Sequence, residues 1–354
     1  MQWHLVRKSG LTLASSIVTL SVISSTASGQ GCEPIRFTTP IDLGGEAQAY
    51  QPEGEWQLTL AYRRLVSTDW FVGTSENSSL APGGKSSVFR VHTLVADVAY
   101  SFNDRYRLKV SIPMSAGSLT RTWPDKAVHE QTATGIGDVS VMGEAWVLQP
   151  RTHESGNIAF GAGIKAPTGS HTIESQFHTA TGAVDFPADQ TIQPGDGGWA
   201  LLFHTRAFRQ VTQRSFGYAF ASYMVSPKAK SDVEWQPGSG QYWAVPDVYS
   251  ARVGGAFSVL REHGLTFSLG ARIDGIPVHD LIGGGDDETI KRSAYVIFAD
   301  PGMSLRKGRS ILTLSVPYRL AVNRQKSLFE QRTGALNAGG FAKHILFASY
   351  THRL

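Results

Sequence analysis

The sequence predicts an all-β chain, an antiparallel transmembrane β-barrel of about 12 strands with long extracellular loops and short periplasmic turns. Three observations carry that expectation. Apolar and polar residues alternate along most of the chain, the connections between alternating stretches are short and long in strict turn, and amphipathic helical periodicity is hard to find. In RLKVSIPM, at residues 107–114, Leu108, Val110, Ile112 and Met114 are apolar, while Arg107, Lys109 and Ser111 are not. Such a strand has one apolar and one charged face. In a soluble sandwich the apolar face would point into a core, and in a membrane barrel it would point into lipid.

At the N-terminus, Arg7-Lys8, an apolar stretch over residues 11–23 and small residues at 26–29 have the order of a secretory signal peptide. The apolar stretch is short for a spanning helix. The expected organisation is a signal peptide at 1–29, a short periplasmic segment at 30–54 and an outer-membrane barrel at 55–354. Cys32 is the single cysteine, so no intramolecular disulfide forms. Gly29-Gln30-Gly31 before it lacks the pattern of a lipoprotein signal. Removing residues 1–29 takes Arg7 and Lys8 and no acid, so the net charge falls from +4 to 4 − 2 = +2. That near-neutral balance does not point to a nucleic-acid partner.

Period-2 alternation places strands at 55–66, 88–102, 106–116, 137–149, 157–167, 198–209, 215–226, 247–260, 265–276, 293–304, 310–322 and 341–354. The connections after the second, fourth, sixth, eighth and tenth are short and polar, as at Asn103-Asp104-Arg105. Those after the odd-numbered strands are long. Sorting of loops by parity marks a barrel of the Gram-negative outer membrane, and a soluble sandwich has no reason for it. Lipid cannot satisfy backbone polar groups, so a spanning sheet must close on itself. The last strand ends on Leu346, Ala348, Tyr350, His352 and Leu354, an alternating C-terminal strand in which leucine stands where an aromatic is usual.

If the apolar set faces lipid, the lumen receives Asp97, Arg107, Lys109, Asp138, Glu144, Lys165, His204, Arg206, Arg252, Arg272, Asp274, Arg319 and Arg353. Two readings stand side by side: a ladder of paired charges that fills the lumen, or a hydrated, mildly cationic pathway. Pro113, Pro167, Pro227, Pro277 and Pro317 close the strands that run outward. Proline removes a ladder donor. Either each simply ends its strand at the rim, or the missing bonds loosen the wall and let an apolar solute leave sideways into lipid. The outer loops are rich in aromatic residues, with Trp70, Phe71, Trp123, Phe177, Phe186, Trp235 and Trp243. They fit an interface girdle or a catchment for apolar and aromatic ligands. Asp185, Asp189, Asp196 and the run Asp286-Asp287-Glu288 fit no calcium loop and read as solvated tips. No metal site and no cofactor is expected.

Four stretches occur in order: Gly135-Ile136-Gly137-Asp138, GIKAPTG at 163–169, QPGDGGWA at 193–200 and GARIDGIPVHDLIGG at 270–284. Together they resemble the outer-membrane transporter family named for the meta-pathway of phenol degradation, over roughly residues 88–320. The resemblance implies a barrel associated with uptake of hydrophobic or aromatic compounds, and it carries over no catalytic residue. More distantly the chain is similar to the long-chain fatty-acid transporters, whose longer N-terminal plug the short stretch before the first strand does not match.

Three functions compete. The first is a channel or facilitator for small hydrophobic or aromatic compounds, with outer-membrane lipid as its surround. The second is a structural barrel with a plugged lumen. The third is a lipid-modifying enzyme, which needs a Ser/His pair with an acidic or amide partner. His92, His204, His344 and His352 are the strand histidines, and no local pairing singles one out, so no enzyme is expected. Oligomeric state is not legible in the sequence.

Overall fold

The computed structural model describes residues 50–76, 87–260, 264–283, 288–334 and 338–354. The expected signal peptide, Cys32 and most of the segment before the barrel lie outside the described residues, as do Asp286 and Asp287.

The strands are β1 (Trp56–Val72), β2 (Val88–Ser101), β3 (Tyr106–Thr122), β4 in two pieces (Val128–Ile136 and Ser140–Trp146), β5 (Gly156–Lys165), β6 (Ala200–Gln210) and β7 (Ser215–Val225). Then come β8 (Val248–Leu260), β9 (Leu265–Ile276), β10 (Ala294–Lys307), β11 in two pieces (Ser310–Ser315 and Tyr318–Arg324) and β12 (Gly339–Arg353). Each pairs antiparallel with its sequence neighbour. β12 returns to β1 in a ladder from Gln57↔Arg353 to Phe71↔Gly339, which closes a barrel of 12 strands.

Burial is inverted relative to a soluble sandwich. Leu108, Ile112 and Met114 are exposed at 38%, 40% and 46%, while Asp97, Glu144, Lys165 and Asp274 are buried at 5%, 7%, 0% and 0%. Leu60, Leu94, Ile158, Phe160, Phe203, Phe267 and Leu314 extend the exposed apolar band around the wall. A surface of this kind is stable against hydrocarbon and not against water. At the end carrying the short turns, Trp56 packs on Tyr100 at 4.8 Å and Tyr100 on Phe102 at 5.1 Å, as interface aromatics do.

The structure departs from the sequence expectation above the band. β1 runs to Val72, so Trp70 and Phe71 are strand residues and not loop residues. β3 runs to Thr122 and folds back at 123–127 into the outer piece of β4, so the expected long third connection is a hairpin. These extensions are held from within. Phe71, Val322, Phe341 and Phe347 form one buried cluster, and Trp70, Phe89, Leu119 and Ile192 form another. Among the described residues a 3-10 turn at Pro150–Thr152 and a short α-helix, α1 (Leu328–Thr333), interrupt the all-β pattern. Ser327 and Glu330 make a capping box at its start, and Gly334 ends it with φ 72°.

The prolines divide into two groups. Pro167, Pro227 and Pro277 lie just past the ends of β5, β7 and β9. Pro113 and Pro317 do not close strands. Pro113 sits inside β3, pairs with Val95, and stands opposite the interruption of β4, where Gly137 donates to the Pro113 carbonyl at 2.8 Å. Pro317 sits between the two pieces of β11. Its carbonyl accepts from the Ile345 amide at 3.1 Å, and as proline it returns no donor. Beyond Tyr318↔His344 no further β11–β12 pair forms, although β12 stays paired to β1. The register between β10 and β11 also slips beside Leu320, which is 64% exposed.

Candidate functional site

The charged residues assigned to the lumen come together on the inner face, and they come together in pairs. Glu144 receives Arg107 at 3.1 Å, Arg206 at 2.5 Å and His204 at 2.8 Å. The contact spans three strands because β5 carries Gly161 at the crossing, where an added Cβ would meet the His204 ring at 2.5 Å. Lys109 faces Asp97 at 3.8 Å, and Lys165 lies 3.2 Å from Asp138 and also bonds Asp196. Arg252 stands 2.7 Å from Asp300 as an ion pair, and Arg272 donates to Asp274 at 2.7 Å. Arg319 bonds Asp69 at 2.6 Å, and Arg353 is buried at the foot of β12. The paired-charge ladder is therefore the arrangement present. Three of its acids were missed by the sequence reading. Asp300 has no charged neighbour in sequence, Asp69 lies beyond the expected end of the first strand, and Asp196 was taken for a solvated tip.

At the short-turn end, Tyr50 packs on Trp146 at 4.9 Å and on Phe208 at 5.7 Å, and its hydroxyl donates to the His153 carbonyl at 2.6 Å. Arg206 lies over the same Trp146 ring at 4.5 Å.

At the opposite end the long connections converge on a cavity of about 270 Å³. Trp70 of β1, Arg121 of β3, Phe177 and Phe186 of a loop hairpin (Glu174–Thr179 with Gly182–Pro187), and Trp235 and Trp243 of the β7–β8 loop line it. Asp189, Arg292 and Arg324, with Gln131 and Gln236, form its polar wall. Five of the seven aromatics noted in the sequence thus meet in one place. Phe71 packs instead on Phe341 at 5.6 Å. Trp123 stands behind the wall, edge-on to Phe177 at 5.0 Å. The Trp70 indole N–H donates to the Ser87 carbonyl at 2.8 Å, and the strand Tyr242–Ala244 that carries Trp243 pairs with Thr289–Ile290.

Asp189 is no solvated tip. Arg292 grips both its oxygens, at 3.1 and 2.9 Å, and lies over Trp243 at 4.7 Å. Burial alone would push the Asp189 carboxyl up, but Arg292 and the Thr191 hydrogen bonds hold it down to about 2 from the ordinary 3.8. A depressed acid contributes stability that is complete above the ordinary value and is lost as pH falls through the depressed one. The shift corresponds to about 2 kcal/mol. Tryptophan fluorescence from the cavity wall is therefore expected to hold steady down to about pH 4 and to change between about pH 4 and 2. In Asp189→Asn that acid transition is expected to disappear.

Two further constellations sit apart from the cavity. Asp125, His129 and His178 bring three potential metal-ligand atoms within 4.8 Å of one another, with the histidine rings stacked at 3.5 Å. Spacing did not reveal them, because His178 comes from the loop hairpin. Ser310 and His352 approach to 2.9 Å beside Tyr350, but among the described residues no carboxylate joins His352. His92 pairs with Tyr62 at 2.7 Å, and His344 is exposed.

Above Pro317 the wall has a slit between β11 and β12. The Arg319 guanidinium crosses it, donating to the Phe341 carbonyl at 3.1 Å while holding Asp69. Arg324, at the top of β11, lines the cavity and meets Gly73 of the chain leaving β1 through backbone bonds of 2.8 and 2.7 Å. Tyr318 and Leu320 put the outer side of the slit in the exposed apolar band.

No family model matches the sequence, and no curated protein matches it. Among solved structures, an outer membrane channel from Pseudomonas putida F1 superposes with a TM-score of 0.59 at 13% identity, over 90% of this chain and 100% of that one. The toluene transporter TbuX of Ralstonia pickettii gives a TM-score of 0.43 at 11% identity, over 86% and 90% of the two chains. The first of these likenesses shows the fold: this chain is built as an outer-membrane channel barrel is built.

Proposed function

We propose that the chain is an outer-membrane channel of a Gram-negative bacterium for uptake of small hydrophobic or aromatic compounds, delivered there by a signal peptide at residues 1–29. The observation that carries this reading is the aromatic-walled cavity at the mouth, directly beside a slit in the barrel wall. Aromatic faces desolvate a planar apolar solute as it leaves water. The lumen carries ion pairs around Glu144, Lys165 and Asp300, a poor path for an apolar molecule. The slit above Pro317 opens onto the exposed apolar band and supports release sideways into lipid. The barrel fold shared with an outer membrane channel of Pseudomonas putida F1 is consistent with this reading, and the sequence resemblance to the phenol meta-pathway family points the same way. The ion-pair ladder favours one rival, a structural barrel with a filled lumen.

Proteoliposomes separate the two. Wild-type protein is expected to speed entry of toluene several-fold over protein-free vesicles, and a rate equal to that of empty vesicles would leave the structural barrel as the better reading. The wall is tested by Pro317→Ala, which supplies the amide missing opposite Ile345, as an antiparallel pair requires. Toluene entry is expected to slow by about 3-fold or more, on the scale of one added hydrogen bond of about 1 kcal/mol. An unchanged rate would place the exit elsewhere.

A further inference from the structure

The cavity carries a charge that an apolar solute does not need. Three arginines line it, and two are already matched: Arg292 holds Asp189 through both oxygens, and Arg324 holds Glu330 at 2.6 Å. Asp189 also accepts the Thr191 amide at 2.9 Å, and Glu330 accepts the Ser327 amide at 2.6 Å, so neither acid is spare. The third, Arg121, makes no ion pair and no side-chain hydrogen bond among the described residues, and its Nε is buried without a partner. Its guanidinium rests on the Trp123 ring at 3.8 Å, with Phe177 at 6.0 Å. The ring contact fixes the plane of the fork while leaving its N–H donors unspent. Counting these five groups, three cations against two anions, the cavity is left with one positive charge, and it sits on Arg121.

Arg121 is half-buried, and its buried Nε without a hydrogen-bond partner is costly unless a ligand supplies one. The group that matches a planar fork best is a carboxylate, which accepts two parallel N–H bonds. Five aromatic side chains make up much of the rest of the cavity wall, Trp70, Phe177, Phe186, Trp235 and Trp243, with the amides of Gln131 and Gln236 among them. Its volume of about 270 Å³ exceeds the roughly 150 Å³ that accommodates a benzene ring in an apolar cavity. The excess leaves room for a substituent.

We infer that the mouth cavity is a binding site for small arene carboxylates, with the carboxylate on Arg121 and the ring among the tryptophans and phenylalanines. This rests on the channel reading above and names the solutes that its mouth selects. The neutral arene is retained by the walls alone, whereas the acid gains the charge-assisted pair as well. Solutes of this class are products of ring-substituent oxidation, so the reaction class that supplies them is the oxidation of an arene side chain to the acid.

The test is a tryptophan-fluorescence titration of the purified full-length protein in detergent at pH 7, with benzoate and with its neutral analogue benzyl alcohol. Benzoate is expected to bind at least 10-fold more tightly. Arg121→Gln is expected to remove that preference, bringing benzoate affinity down to that of benzyl alcohol in the same variant. Arg121→Lys, which keeps the charge but not the fork, is expected to retain only part of it. Heat-modified migration on gels verifies that each variant is a closed barrel. Equal affinity for benzoate and benzyl alcohol in the wild type would overturn the inference, as would a preference that survives Arg121→Gln. Toluene entry into proteoliposomes, measured on the same preparations, keeps the two readings apart. Normal toluene entry with no benzoate preference sinks the carboxylate site alone, and absent toluene entry sinks the channel reading.

Discussion

Glu144→Ala is expected to destabilise the barrel by about 3–5 kcal/mol, the cost of removing one member of a buried ionic group. Arg107, Arg206 and His204 all converge on this one carboxylate, and it is 7% exposed. Without it two guanidinium groups and an imidazole face one another across Gly161 with no counter-charge. Arg206 keeps its contact with Trp146, a cation–π interaction worth about 1–2 kcal/mol, too little to compensate. The measurement is the denaturant midpoint of the purified protein, read by the loss of heat-modified migration. Glu144→Gln keeps the volume and some hydrogen bonding and is expected to fall between wild type and alanine. A midpoint shift below about 1 kcal/mol for Glu144→Ala would mean that water enters this level of the lumen freely and screens the cations.

Arg319→Met is expected to act on the slit in the opposite direction to Pro317→Ala. Arg319 takes the place of the missing ladder: it donates to the Phe341 carbonyl of β12 and pairs with Asp69 of β1. Methionine fills a similar volume and donates nothing. The upper piece of β11 keeps its ladder to β10, but on the β12 side, among the described residues, it is then held by the pair Tyr318↔His344 and by the bridge from Arg324 to Gly73. Toluene entry is expected to rise several-fold, with a fluctuating ionic leak in planar bilayers. Leaving Asp69 unpaired is expected to cost about 1–3 kcal/mol of stability. If both variants slow uptake equally, the slit is a structural seam and not an exit. If Arg319→Met leaves uptake and leak unchanged, the guanidinium is no latch.

The wall was legible in the sequence because a strand between lipid and lumen must alternate, and RLKVSIPM does so without interruption. Parity of the connections then supplied closure. The extracellular extensions were not legible, since above the membrane both faces of a strand meet protein and the alternation fades, as in β1 beyond Leu65. The helix was hidden by its length, a single capped turn and a half between Ser327 and Gly334. Of the site, the aromatic content was visible but not its convergence, which brings Trp70 beside Trp235 and Trp243 through three separate connections. Nor does any spacing rule distinguish Arg121, whose importance lies in what it does not touch. The prolines divide: Pro317 falls between the two pieces of β11, whereas Pro167, Pro227 and Pro277 lie just past the ends of their strands.

Tyr50 has a consequence for assembly. It lies inside the short-turn end, against Trp146 of β4 and Phe208 of β6, and is tethered to His153 in the turn between β4 and β5. The chain reaches that point before it enters β1, whose partner across the seam, β12, is the last strand made. The ring is seated most directly while the sheet is still an open curl. Once β1 and β12 zip along Gln57↔Arg353 to Phe71↔Gly339, the leading segment has no way in except by threading from below. The seam thus acts as a fastening, and the order of its closure relative to the seating of Tyr50 sets how readily that ring reaches its place.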